Sequence, residues 1–248
     1  MGRPREYDDD LRVRLIDTAG RLLAIGGPEA VTTRRVASET GTSTNAIYTL
    51  VGSKRDLVRA MYWEGFQRLG SQLEAVPPDD DPAEHVLKLG SAYLESAMEH
   101  PHLYAVMFSN PVPEFRPNEA DATFAFSKLS LIIDAVQKCI DAGIFTGPAY
   151  EIANALWAIP HGIATLANVG MIAPPEHASM LFENLARAAI EGFRSQTYEW
   201  PTPPSPSRPF ESTRVITEQQ ESGMFKDPLP PGITKERRST PRLRQPSP

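Results

Sequence analysis

From residue 9 to about residue 195, apolar side chains return every three or four positions, and no stretch sustains the every-second-residue alternation of a strand. The clearest run is 119–143, which carries Phe124, Phe126, Leu129, Ile132, Ile133 and Val136. Segment 9–26 repeats Leu11, Leu15, Ala19, Leu22 and Leu23, and segment 54–75 repeats Leu57, Met61, Trp63, Phe66, Leu69 and Leu73. Segments 83–99, 149–170 and 175–195 read the same way. Stripes of this period are buried by laying helix on helix, so the pattern predicts an all-α fold.

Prolines divide the helical stretch. Pro77 and Pro78, followed by three aspartates and Pro82, continue neither helix nor strand, and a domain boundary is expected there. This predicts an N-terminal domain at 8–70 and a C-terminal helical bundle at 82–196. From Trp200 onward prolines recur and apolar residues are sparse, so residues 200–248 are expected to form a disordered tail. Deleting that tail should leave melting and assembly unchanged unless Phe210, Ile216 or Phe225 docks on the body. Arg237, Arg238, Arg242 and Arg244 in the same segment are expected to add at most nonspecific attraction to DNA.

The net charge of −6 conceals an asymmetry: residues 1–68 carry +2, residues 69–195 carry −10 and residues 196–248 carry +2. A slightly basic head on an acidic body leaves the head as the part suited to a polyanion. Apolar runs stay well short of a membrane span, and the start MGRPREYDDD lacks the apolar core of a secretory signal. A cytoplasmic protein is expected. Cys139 is the single cysteine, which excludes an internal disulfide, and no Cys/His spacing suggests zinc. No cofactor or metal is expected. The sequence has no glycine-rich phosphate loop and no nucleophile elbow, and His161 and Cys139 fall on different predicted helices with no third partner. An enzyme is not expected.

The stretch 32–57, TTRRVASETGTSTNAIYTLVGSKRDL, carries the chemistry. Thr32 or Thr33 can cap a helix ending near Thr40, and Gly41 stands where the chain must turn. Ser43 can cap a second short helix, 44–51. Two short helices joined by a glycine turn make a helix-turn-helix. Val36 and Ala37 would face Ile47, Leu50 and Val51, leaving Thr44, Asn45, Tyr48 and Thr49 outward. Asn45 can bond a base edge in two places, with adenine its usual partner. Thr44 offers a hydroxyl and a methyl, and Tyr48 presents a phenol toward the backbone. Ser53 and Lys54 open the next helix, whose free N–H groups favour phosphate. Arg34 and Arg35 could grip a flanking strand. The candidate DNA-contacting set is Thr33, Arg34, Arg35, Ser43, Thr44, Asn45, Tyr48, Thr49 and Lys54.

Residues 11–57 resemble the DNA-binding domain of the TetR/AcrR family of transcriptional repressors. The matching elements are Ala19 and Leu22, then Gly26–Gly27, then Thr32, Val36 and Ala37, then Gly41, Ser43, Ile47 and Tyr48, and finally Ser53, Lys54 and Leu57. The family often has His-Phe where this chain has Leu50–Val51, which keeps an apolar anchor and removes a phosphate contact. Further on, His100–Pro101, Leu103–Tyr104 and Met107–Phe108 are similar to the start of one subgroup's ligand domain. Trp157 with His161–Gly162 and Leu166 resembles that subgroup's Trp-His-Gly helix, with Pro160 standing where a second Trp is usual. The resemblance implies a ligand-responsive repressor that binds an inverted-repeat operator in double-stranded DNA as a homodimer. A helical scaffold that binds protein without reading DNA is the competing expectation, and it would not need Asn45 and Tyr48 outward beside Lys54.

Two further sites are expected. A pocket for a largely apolar small-molecule effector should lie between helices 102–109, 119–143 and 149–170, where Phe108, Phe124, Leu131, Trp157 and His161 could converge. Pro160 should bend the last of these and free the carbonyl of Leu156. The dimer interface should pair helices 149–170 and 175–195 with their copies through Leu166, Leu181, Phe182, Leu185 and Ala189.

Overall fold

A computed structural model describes residues 5–194, with side chains described from residue 9 onward. Segment 200–248, with Phe210, Ile216, Phe225 and its arginines, lies outside the described residues. All regular structure within the described residues is helical: α1 (Arg5–Ala30), α2 (Thr33–Thr40), α3 (Thr44–Leu50), α4 (Lys54–Glu74), α5 (Pro82–Glu99), α6 (Pro101–Phe108), α7 (Glu119–Asp141), α8 (Ala149–Asn168) and α9 (Pro175–Arg194). None of them is long and apolar enough to cross a membrane.

The ends follow from the sequence. α1 is interrupted at Gly27, whose φ of 66° and ψ of −169° no helical residue adopts, and Pro28 follows at once. Thr32 caps α2 by accepting from the N–H of Arg35 at 3.2 Å. Gly41 closes α2 in the left-handed region at φ 68°, and the next N–H, of Thr42, reaches back to the Ala37 carbonyl at 2.9 Å. Ser43 caps α3 by accepting from Ala46. Ser53 and Asp56 cap α4 reciprocally: the Ser53 N–H donates to Asp56 Oδ2 at 2.9 Å and the Asp56 N–H to Ser53 Oγ at 3.3 Å. Asn118 and Asp121 cap α7 in the same way.

In the N-terminal part, α1 packs on α2, α3 and α4. Val36, Ala37 and Ile47 are buried there, with Leu50 and Val51 half-buried against them. Further along the chain, α5 lies at the centre and touches α4, α6, α7, α8 and α9. α4 joins the two regions as one unbroken helix, packing on α1 at one side and on α5, α6 and α7 at the other. α8 continues through Pro160, which is buried.

The α4–α7 seam holds a polar knot. Arg59 Nε donates to Asp121 Oδ2 at 3.2 Å and Trp63 Nε1 donates to Asp121 Oδ1 at 2.6 Å, with Asp121 only 1% exposed. Burial, and secondarily the Asp121 carboxylate, pushes the neighbouring Tyr62 phenol well above its ordinary range.

Candidate nucleic-acid interface

The caps on α2, α3 and α4 fix a short, rigid α3. Ile47 turns inward, and Thr44, Asn45, Tyr48 and Thr49 stand exposed on the opposite side, with Tyr48 59% accessible. Residues at i, i+1, i+4 and i+5 share one helical face, so the four side chains form one contiguous patch. The Thr49 hydroxyl is turned back to the Asn45 carbonyl at 2.9 Å, which leaves its methyl as the outward group. Arg34 and Arg35 are exposed in the first turn of α2, and Arg35 Nε lies 3.4 Å from Glu39 Oε1. A solvated pair of this kind is worth little and is readily exchanged for phosphate. Thr33 is half-buried and the Ser43 hydroxyl is engaged in its cap. Lys54 Nζ donates to the carbonyl of Pro28 at 2.9 Å, a commitment the sequence did not reveal.

The expected effector residues divide. Phe108, Trp157 and His161 do meet: the His161 ring lies 4.9 Å from Phe108 edge-on and 5.1 Å from Trp157. Tyr93 of α5 and Tyr104 of α6 complete the group, and both hydroxyls lie 2.9 Å from His161 Nδ1. Tyr104 Oη also donates to the His161 carbonyl at 3.0 Å and lies 3.2 Å from Thr165 Oγ1. Burial pushes the His161 imidazole down and both phenols up, which favours the neutral forms. Phe124 departs from the expectation. Its ring stacks on Trp63 of α4 at 4.0 Å with Lys128 Nζ 5.7 Å over the face, because α7 turns this edge toward α4. Leu131 is half-buried against the core.

The expected interface residues divide too. Leu166 and Leu185 are each 46% exposed, and Leu181 and Ala189 are half-buried. Phe182 does not belong with them. It is 3% exposed, and its ring tip sits where a side chain on Gly90 of α5 would begin, 2.6 Å from the position of a Cβ. Helical period places Phe182 near Leu181 and Leu185, but its side chain is part of the subunit's own core.

An exposed recognition face on a capped second helix, in an all-helical chain, defines a helix-turn-helix DNA-binding protein. The family model for bacterial regulatory proteins of the tetR family matches residues 15–61, and that for a tetracyclin repressor-like C-terminal domain matches residues 86–189. The chain belongs to the TetR family, whose members are transcriptional regulators and not enzymes. An HTH-type transcriptional regulator of Mycobacterium tuberculosis (strain ATCC 25618 / H37Rv) is 22% identical over 151 residues, 59% of this chain and 63% of that protein. The match therefore spans less than two thirds of the relative's length. A Rhodococcus sp. RHA1 protein of unknown function superposes with a TM-score of 0.63 at 27% identity, covering 74% of this chain and 95% of that one. The TetR family transcriptional regulator PfmR from Thermus thermophilus shares the fold, with a TM-score of 0.56 at 18% identity over 75% of this chain and 100% of that one.

Proposed function

We propose that the protein represses transcription in the cytoplasm by binding an inverted-repeat operator as a homodimer, and that a small, largely apolar effector releases it. Residues 8–70 would read DNA and residues 82–196 would dimerise and take the effector. The single observation that carries the reading is the exposed face of α3, where Thr44, Asn45 and Tyr48 stand together over a fully buried Ile47. The N-terminal end of such a helix enters the major groove, and a two-fold dimer presents two of them to half-sites about one helical turn, or a multiple, apart. Leu166 and Leu185, with Met180 at 56% exposure, leave apolar surface on α8 and α9 for the partner subunit.

Selection of bound duplexes from a random library tests this. Enrichment of an inverted repeat, with affinity that falls steeply with salt, is the expected result. Enrichment of no sequence, or of a single asymmetric half-site, would overturn the dimeric reading.

A further inference from the structure

We infer that the space between α1, α6 and α8 is a binding site for a small apolar monoanion, a molecule with an aliphatic or aromatic body and one carboxylate. The inference deepens the effector response proposed above, extends the effector's site from residues 82–196 onto α1 of the reading head, and rests on that response for the consequence on DNA, whereas binding itself is tested without DNA.

The space measures about 460 Å³, within the ~300–1,000 Å³ of small-molecule sites. Leu23, Ala24 and Ile25 from the end of α1 form one wall, Pro101 and Ala105 of α6 a second, and Val169 after α8 a third. Ile25 is 82% and Val169 70% exposed, so two large apolar side chains stand in water at this opening. An apolar body laid between them removes that surface from solvent.

The accessible lining is mostly apolar in area, with neutral hydroxyl and amide groups from Tyr104, Ser109, Thr165 and Asn168 among it. Arg21 and His102 are the titratable cations among the lining residues. Burial lowers the His102 pKa, which keeps that ring neutral at pH 7 against the opposing pull of Asp17; His100, Arg68 and Arg21 push the same way as burial. The charge at the site is therefore that of Arg21. Its guanidinium donates to Thr18 Oγ1 at 3.3 Å and has no carboxylate at ion-pair distance among the described residues. Asp17, one turn earlier, is occupied by Arg68 at 3.0 Å. A guanidinium with open donors beside an apolar space is complementary to one carboxylate, held in two parallel hydrogen bonds. One cation and apolar walls select one anionic group on an apolar body.

The site is built rather than a chance gap. His102 of α6 lies so close to Gly20 of α1 that a Cβ there would fall 2.0 Å from its Cδ2. That contact sets how near α6 approaches α1. Tyr104 lines the site and also bonds into the His161 group. A bound molecule would thus touch the reading head through α1 and the body through α6 and α8 at once, and would favour whichever spacing of the two best fits it.

The test uses the full chain and 1-anilinonaphthalene-8-sulfonate, an aromatic monoanion whose fluorescence reports binding, displaced by decanoate or by uncharged decan-1-ol. One saturable site per subunit is expected, with decanoate at least tenfold the better competitor. Arg21→Gln should erase that preference. Ala24→Trp, a change at an exposed helical position, should weaken binding of the probe at least tenfold. Absence of saturable binding, or a decanoate preference that survives in Arg21→Gln, would overturn the inference. So would loss of binding in Trp157→Ala with none in Ala24→Trp, which would move the ligand into the Tyr93–His161 group. Failure of the library selection above would instead remove the DNA reading and leave this site standing.

Discussion

Arg59 and Asp121 form a buried ion pair at 3.2 Å across 62 residues of sequence, and it fastens α4 to the first turn of α7. The same carboxylate takes the Trp63 indole N–H and caps α7 through Asn118. Removing it strands a buried cation. Asp121→Ala should cost about 3–5 kcal/mol of stability, because an unpaired buried charge is left behind. Urea denaturation measures this, and a loss within about 1 kcal/mol would show that Arg59 finds water instead.

Asn45→Ala should cost about 1–3 kcal/mol of binding at one base position and leave the others unchanged. Lys54→Ala should weaken binding to every sequence alike and reduce the salt slope by roughly 1. Because Lys54 already donates to the Pro28 carbonyl, it must exchange that partner for a phosphate, and its contribution should be smaller than that of a free lysine. Binding isotherms across a salt series separate the two residues. An equal loss at every base for Asn45→Ala would make it a backbone contact.

Leu185→Glu should give a folded monomer, since Leu185 is 46% exposed on the α9 face offered to the partner. Phe182→Glu should unfold the body instead, because that ring fills the space against Gly90. Sedimentation with circular dichroism distinguishes the outcomes. A dimeric Leu185→Glu protein at micromolar concentration would place the interface elsewhere.

Acid should destabilise the protein through two histidines. Burial lowers the folded pKa of both His102 and His161. The unfolded chain therefore takes up protons near pH 6.5 that the native state refuses. Their contribution is fully present above the unfolded pKa and is lost as pH falls below it toward the folded values. Between pH 7.5 and 6 the Tm of the parent should fall, and the fall should be smaller in a His102→Asn, His161→Asn double variant. Equal slopes in both proteins would rule these residues out as its source.

Gly20→Ala should destabilise by about 1–3 kcal/mol, the usual cost of overpacking, since His102 occupies the space a methyl requires. An Ala variant as stable as the parent would show that α6 yields freely at this point.

Much of this architecture was legible in the residues. The caps at Thr32, Ser43 and Ser53 and the turn at Gly41 are local chemistry, and α2 to α4 begin and end within a residue or so of where that chemistry puts them. Period 3.6 also locates the buried stripes. It does not say what a stripe is buried against. Phe182 and Leu185 share a helix and a pattern, yet one packs inside the subunit and the other faces out. Phe124 was legible as apolar, but its partner, Trp63, lies 61 residues away and is set by how α7 crosses α4. Asp121 reads in sequence as an ordinary first-turn acid, and nothing local announces Arg59 as its mate. The opening beside Arg21 is formed by three elements far apart in the chain, so no local signal marks it.

α4 runs without a break from the Ser53 cap to Glu74. It has no joint, so it acts as a lever of about 30 Å, at about 1.5 Å per residue. The body holds it along most of that length, from Arg59 on Asp121 and Trp63 on Phe124 to Gly70 beside Lys128, so α4 and the part of α7 packed on it swing together, and its near end joins α3 through residues 51–53. A swing of about 6° about the far end moves the tip by about 3 Å, close to the ~3.4 Å rise of one base step. In the proposed dimer, a reading head one base step out of place no longer meets its half-site, so the angle of this one beam and the spacing of the operator are a single variable.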